Sequence, residues 1–165
     1  LTNLTVIATA SRPETQSWVR ALGAHHVIDH RAPLPPQIQA LQIGAPAFVF
    51  STNATDRYVG QVAELIAPQG RFGLIDDPTG FDIAPLKAKS LSLHWEFMYT
   101  RSLFGTADMN RQREILNEAA GRIDRGAGRS TATEKLGQIS AATLTKAHAI
   151  VEGGAARGKI VLEGF

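Results

Sequence analysis

The first thirty residues change periodicity so quickly that few folds can hold them. Leu4 to Ala10 is a nearly unbroken apolar run rich in Val, Ile and Thr, the composition of a parallel strand covered on both faces. Ser11-Arg12-Pro13-Glu14 then supplies a helix start, with a hydroxyl cap candidate, proline in the first turn and an acid at the positive end of the dipole. Trp18, Val19 and Leu22 form the helix's apolar stripe, Gly23 stops it, and His26-Val-Ile-Asp29 resumes as a strand. Strand, helix and strand packed this tightly predict a right-handed parallel crossover.

The alternation continues. Ala32 to Gly44 reads as a Pro-rich connection and a short amphipathic stretch with Ile38, Leu41 and Ile43, and Ala47-Phe-Val-Phe50 as a third strand. Asp56 is the expected cap of a helix whose buried face is Tyr58, Val59, Val62, Leu65 and Ile66, ending at Pro68-Gln-Gly70. Arg71 to Ile75 is a fourth strand, Asp76 to Gly80 a turn. Ser90 to Met98 alternates Leu91, Leu93, Trp95 and Phe97, the period of an edge strand or of one that meets a partner. Beyond it, Thr106 to Arg125 is helical by pattern, with Met109, Ile115, Leu116, Ala119 and Ile123 expected inward. Ser130 to Leu136 reads as a short strand, Ser140 to Glu152 as a capped helix burying Leu144, Ala147, His148 and Val151, and Lys159 to Leu162 as a last strand. Strands and helices in turn define an α/β layered fold.

Composition narrows the function classes. Hydrophobic residues are 44% and charged residues 19% of the 165, the balance of a soluble globular domain, and no apolar run is long enough to span a bilayer. With no charged leader ahead of an apolar stretch at Leu1, the expectation is a cytoplasmic protein without a membrane partner. A formal charge of +2, spread along the chain, gives no footprint for nucleic acid. The chain has no cysteine, so disulfides are impossible and no thiolate zinc is expected from it. His25 and His26 point to opposite faces of a strand and cannot easily chelate one ion, so no metal ligands are assigned.

In an open parallel sheet, ligands bind beyond the carboxyl ends of the strands. The residues there are Ser11-Arg12, His30-Arg31, Ser51-Thr52-Asn53, Ile75-Asp76 and Phe97-Met98. They combine a cationic corner, small hydroxyl and amide groups, and an apolar corner, which suits a dinucleotide with its phosphate at one end and its nicotinamide at the other. A dinucleotide fold selecting NAD places an acid at the end of its second strand, but Ala10-Ser11-Arg12 offers none. Hydroxyl, guanidinium and a nearby His30 suit a ribose 2′-phosphate, favouring NADP. The same two residues also read more plainly as a helix cap and a solvated charge. No Gly-x-Gly-x-x-Gly follows any strand, no Walker-type loop exists, and no spacing suggests a nucleophile elbow.

Four segments carry a family resemblance. Ala21-Leu-Gly-Ala-His-His-Val-Ile-Asp-His30, Leu65-Ile-Ala-Pro-Gln-Gly-Arg-Phe-Gly-Leu-Ile75, Ser92-Leu-His-Trp-Glu-Phe-Met98, and Leu144-Thr-Lys-Ala-His-Ala-Ile-Val-Glu152 with Gly158-Lys-Ile-Val-Leu-Glu-Gly-Phe165 come in the order of the medium-chain dehydrogenase/reductase superfamily. Specifically, the chain resembles the C-terminal half of its zinc-type alcohol dehydrogenase-like and quinone oxidoreductase branch.

The resemblance implies a Rossmann-type doubly wound parallel sheet lacking its first strand and glycine-rich turn, as in a truncated family member. Residues 1–128 would be the partial NAD(P)-binding domain and 129–165 a strand-helix-strand segment returning to a catalytic domain. It implies that Ser11, Arg12 and His30 meet the adenosine phosphate, and that Ser51, Thr52, Ile75, Asp76, Phe97 and Met98 line the ribose and nicotinamide. Family members transfer hydride from NADPH to quinones, enones or other small carbonyl compounds, and family dimers join at the strand corresponding to Leu91 to Met98. The implied function is therefore the cofactor-binding portion of an NADP-dependent oxidoreductase, inactive alone and with no catalytic residue assignable. The alternative is a non-catalytic nucleotide-binding or structural module with the same fold. A response-regulator-like domain is weaker still, since Asp29 and Asp76 supply no convincing acid cluster.

Overall fold

Pro13 at the first helical position and the apolar runs on either side of it produce β1 (Ile7–Thr9), α1 (Pro13–Ala21) and β2 (His26–Ile28), with β1 and β2 parallel. The computed structural model describes residues 3–154 and 156–164. After β2 come α2 (Leu34–Ala40), β3 (Phe48–Ser51), α3 (Thr55–Leu65), β4 (Arg71–Leu74), a 3-10 turn at Ala84–Lys89, β5 (Ser92–Trp95) and α4 (Thr100–Phe104). Then follow α5 (Arg111–Asp124), β6 (Ala132–Gln138), α6 (Ala141–Glu152) and β7 (Lys159–Glu163). The chain divides into two compact units, one running to Met109 and the other from Asn110.

In the first unit, every strand pair is parallel, as the connecting helices demand. β3, β4 and β5 form one sheet in which Ser51, Leu74 and Trp95 stand level, so these strands end at one rim. β1 and β2 form a second sheet, and no ladder joins β1 to β3 among the described residues. The doubly wound sheet is therefore open at the position where the resemblance implies a further strand. β1 is shorter than the Leu4–Ala10 run for the same reason, since Leu4 and Val6 have no covering layer and are exposed.

Two apolar clusters hold this unit. Phe72 is fully buried among Val59, Val62, Ile66 and Leu86, and Ile28, Leu34 and Ile38 form the other. Tyr58 and Leu65 of α3 pack against both. The Lys89 ammonium donates to the Glu64 and Ile66 carbonyls at 2.5 and 2.8 Å, satisfying carbonyls at the end of α3.

The Pro-rich stretch after β2 is not merely a connection. Its prolines occupy the first turn of α2, where no amide is needed, and the Gln61 side chain accepts the Leu34 amide at 2.7 Å. Asp56 does not cap α3: the helix begins at Thr55 behind the left-handed Ala54 (φ 54°), and Asp56 lies in its first turn.

In the second unit, β6 and β7 pair in parallel across α6, whose first turn is capped by Ser140 accepting the Thr143 amide at 3.1 Å. The expected inward faces are largely open. Met109, the last residue of the first unit, is exposed, as are Ile115, Leu116, Ala119 and Ile123 on α5, and α6 buries Ala147 while Leu144, His148 and Val151 are exposed. Amphipathic spacing marks a face able to be covered and does not supply the cover.

Candidate functional site

The carboxyl ends of β1, β2 and β3 converge on a cavity of about 470 Å³. Thr9, His30, Ser51 and Thr52 line it, with Asn53 from the loop before α3 and Arg57 and Tyr58 from the start of α3. Of the sequence-predicted residues, His30, Ser51 and Thr52 thus share one cavity. Ser11 and Arg12 lie just beyond β1, while Ile75, Asp76, Phe97 and Met98 follow β4 and β5 outside the cavity lining.

The cationic corner contains more than Ser11 and Arg12. Arg12 pairs with Glu14 at 3.0 Å, and its backbone amide and carbonyl are both engaged by the Thr15 hydroxyl. Arg31 makes a forked contact to both Asp29 oxygens, at 2.7 to 3.1 Å, and its Nη2 also donates to the Ser11 carbonyl at 2.7 Å. This ties the end of β2 to the loop after β1. Arg31 and Asp29 were missed as partners, although an acid and an arginine two residues apart beyond a strand carry a local signal.

Hydrogen bonds from Arg31, first from its side chain and then from its amide, lower the Asp29 pKa from 3.8 to about 2. The folded value lies below the unfolded one, so the contact's contribution is present above pH 3.8 and is lost as pH falls toward 2. At about pH 3 the Asp29 carboxyl stays mostly ionised, whereas Arg31→Ala, which removes the side-chain hydrogen bonds and keeps the backbone amide one, moves the midpoint upward toward the ordinary value. Carboxyl ¹³C titration reads both, and a wild-type midpoint at the ordinary value would refute the contact.

Asp76 is committed to the protein. Its carboxylate accepts the Thr55 amide at 2.9 Å and the Thr55 hydroxyl in a short contact, and Thr55 is fully buried. The Ser51 hydroxyl meets that of Thr55 at 2.7 Å. A chain of hydrogen bonds therefore runs from the loop after β4, through the start of α3, to the end of β3. Burial acts most strongly on Asp76 and opposes its ionisation, but hydrogen bonds from the Thr55 hydroxyl and amide and its own amide outweigh it, and the pKa is lowered. Here an acid twenty-one residues distant does the capping the sequence assigned to Asp56.

The apolar corner is open. Ile75, Phe97 and Met98 are exposed, and the Phe97 ring meets Tyr99 edge-on with centroids 5.5 Å apart. Among the described residues no three His, Asp or Glu side chains gather to hold a metal ion. The residues described here do not fit a zinc site. No described helix is long and apolar enough to cross a membrane.

Parallel strands with helical crossovers and a polar rim at their carboxyl ends are the Rossmann-like class of nucleotide-binding fold. Residues 22–162 match the zinc-binding dehydrogenase family, and the chain belongs to it. It is 35% identical over 163 residues to a zinc-type alcohol dehydrogenase-like protein of Staphylococcus aureus, covering 96% of this chain and 48% of that one. The structure is similar to that of a putative zinc-dependent alcohol dehydrogenase from Rhizobium etli, with 59% identity and a TM-score of 0.95, covering 99% of this chain and 48% of that one. An NAD-dependent alcohol dehydrogenase, 22% identical with a TM-score of 0.74, shares the fold over 97% of this chain and 44% of its own. The chain spans about half the length of the curated relatives it matches.

Proposed function

We propose that the chain is the cofactor-binding portion of a cytoplasmic NADP-dependent oxidoreductase that moves hydride between NADPH and a small carbonyl compound, enone or quinone. The observation that carries this reading is the cavity at the strand ends, where His30, Ser51 and Thr52 meet beside the corner built by Ser11, Arg12 and Arg31. The donor set fits a phosphorylated dinucleotide, with cationic donors at one end of the rim, hydroxyls in the middle and apolar side chains at the other.

NADPH supplies the hydride when bound. The chain's own contribution is position. Ser11, Arg12 and His30 hold the 2′-phosphate, for which Arg12 must leave Glu14, an exposed pair of small worth. Ser51 and Thr52 present hydroxyls to the ribose, and Asp76, through Thr55, fixes the direction of Ser51. Ile75, Phe97 and Met98, exposed beyond β4 and β5, would supply the apolar surface beside the nicotinamide. The proton comes from solvent or from a group outside this chain. A second copy pairs along β5, whose far edge is unpaired among the described residues and whose Trp95 is 60% exposed.

The test is NADPH oxidation by the full-length parent against a panel of quinones, enones and small aldehydes. Turnover with at least one is expected. Cofactor binding without turnover on any class would instead favour the non-catalytic module, and no binding of either nicotinamide cofactor would reject both.

A further inference from the structure

The acid missing from the Ala10-Ser11-Arg12 segment is supplied by the end of the neighbouring strand. Arg31 Nη2 donates at 2.7 Å both to the Ser11 carbonyl and to Asp29 Oδ2, so one guanidinium nitrogen bridges the carboxylate and the loop after β1. The acid is placed firmly. Its amide donates to Gln37 Oε1 and its carbonyl accepts from Gln37 Nε2, each at 2.8 Å, and the Tyr58 hydroxyl donates to the His30 carbonyl at 3.1 Å. With the Gln16 side chain donating to the Ala10 carbonyl at 3.0 Å, side chains from α1, α2 and α3 hold the backbone on both sides of the bridge.

Asp29 is an anion at neutral pH with or without its partner, since its pKa is 3.8 ordinarily and about 2 under the hydrogen bonds from Arg31. Arg31 covers that charge. Its Nε and Nη2 reach both carboxylate oxygens at 2.7 to 3.1 Å, and its amide donates to Oδ1 at 2.9 Å. The pair contributes little to folding, because the Arg31 side chain is 66% exposed. Its consequence is electrostatic. A bare acid beside the ribose selects NAD in folds of this class, by accepting from the sugar hydroxyls, and it repels a 2′-phosphate.

On the NADP-dependent reading of this corner, we propose that Asp29 and Arg31 form a cofactor-selectivity element, in which Arg31 masks an acid that would otherwise repel the 2′-phosphate from Ser11 and Arg12. Arg31 is thus a positioning residue: it acts through Asp29 and the Ser11 backbone and need not touch the cofactor. A phosphate monoester carries about two negative charges at neutral pH, so uncovering one carboxylate beside the same corner, in mostly aqueous surroundings, weakens its binding about tenfold.

The test is titration of the full-length parent and its variants with NADPH and NADH at low salt, where exposed charges act most strongly. Arg31→Ala is expected to weaken NADPH about tenfold and to leave NADH within about twofold. Adding Asp29→Asn to Arg31→Ala removes the acid and should return NADPH to within about threefold of the unsubstituted protein. Neither damage to the fold nor loss of a direct phosphate ligand would be repaired in that way. Asp29→Asn alone leaves the guanidinium uncompensated and should tighten NADPH about two- to threefold, which reads the acid's charge even if Arg31→Ala fails to fold. An unchanged NADPH to NADH ratio in Arg31→Ala, no restoration in the double variant, or no tightening in Asp29→Asn would each overturn the masking role while the NADP reading stands. Equal binding of both cofactors by the unsubstituted protein would overturn the two together.

Discussion

If the proposed 2′-phosphate site is right, Arg12→Ala in the full-length parent is expected to weaken NADPH binding about thirtyfold and to leave NADH binding within about twofold. The magnitude is that of one lost charge-assisted contact to a phosphate in a partly exposed corner. The two cofactors differ only in the 2′-phosphate, so the comparison cancels any general damage to the fold. Glu14 sharpens the test. It holds Arg12 at 3.0 Å, so Glu14→Gln should tighten NADPH about two- to threefold without affecting NADH. Fluorescence titration of both cofactors against both variants reads all four values. Equal weakening of NADPH and NADH by Arg12→Ala would remove the 2′-phosphate from this corner and with it the preference for NADP.

Phe72→Ala destabilises the first unit by about 3–5 kcal/mol, enough to unfold many domains of ordinary stability. Phe72 is fully buried, lies in the middle strand of its sheet, and stands level with Val49 and Leu93, which pack on the same cluster. With strands on both sides and α3 above, little can collapse into the void. Phe72→Leu keeps most of the volume and should cost about 1–1.5 kcal/mol. Urea unfolding followed by far-ultraviolet circular dichroism should show the midpoint falling in that order with an unchanged slope. A midpoint shift for Phe72→Ala as small as that for Phe72→Leu would mean that the site relaxes freely.

The succession of strands and helices was legible because buried parallel strands are short apolar runs and their helices carry caps and stops. Ile28, Phe72 and Leu74 all fall in such runs and all are buried. The strand-end positions followed from the same pattern, which is why His30, Ser51 and Thr52 were found together. What stayed hidden is non-local. The acid that caps α3, the glutamine that receives the α2 amide and the arginine that reaches Ser11 each act across twenty or more residues. Periodicity has no term for such contacts. It also overstated burial on α5, where Ile115, Leu116 and Ile123 keep helical spacing but are exposed.

Tyr58 and Leu65 pack against both apolar clusters, while among the described residues no backbone ladder crosses between the two sheets. Mechanically, α3 is a spine with a leaf on either side. Twisting one leaf against the other slides side chains past each other and strains the Tyr58–His30 and Gln61–Leu34 hydrogen bonds, but breaks no ladder bond. The strand ends that form the cavity sit on opposite leaves, so the cavity is bounded by two sheets that share α3 and not by one continuous sheet.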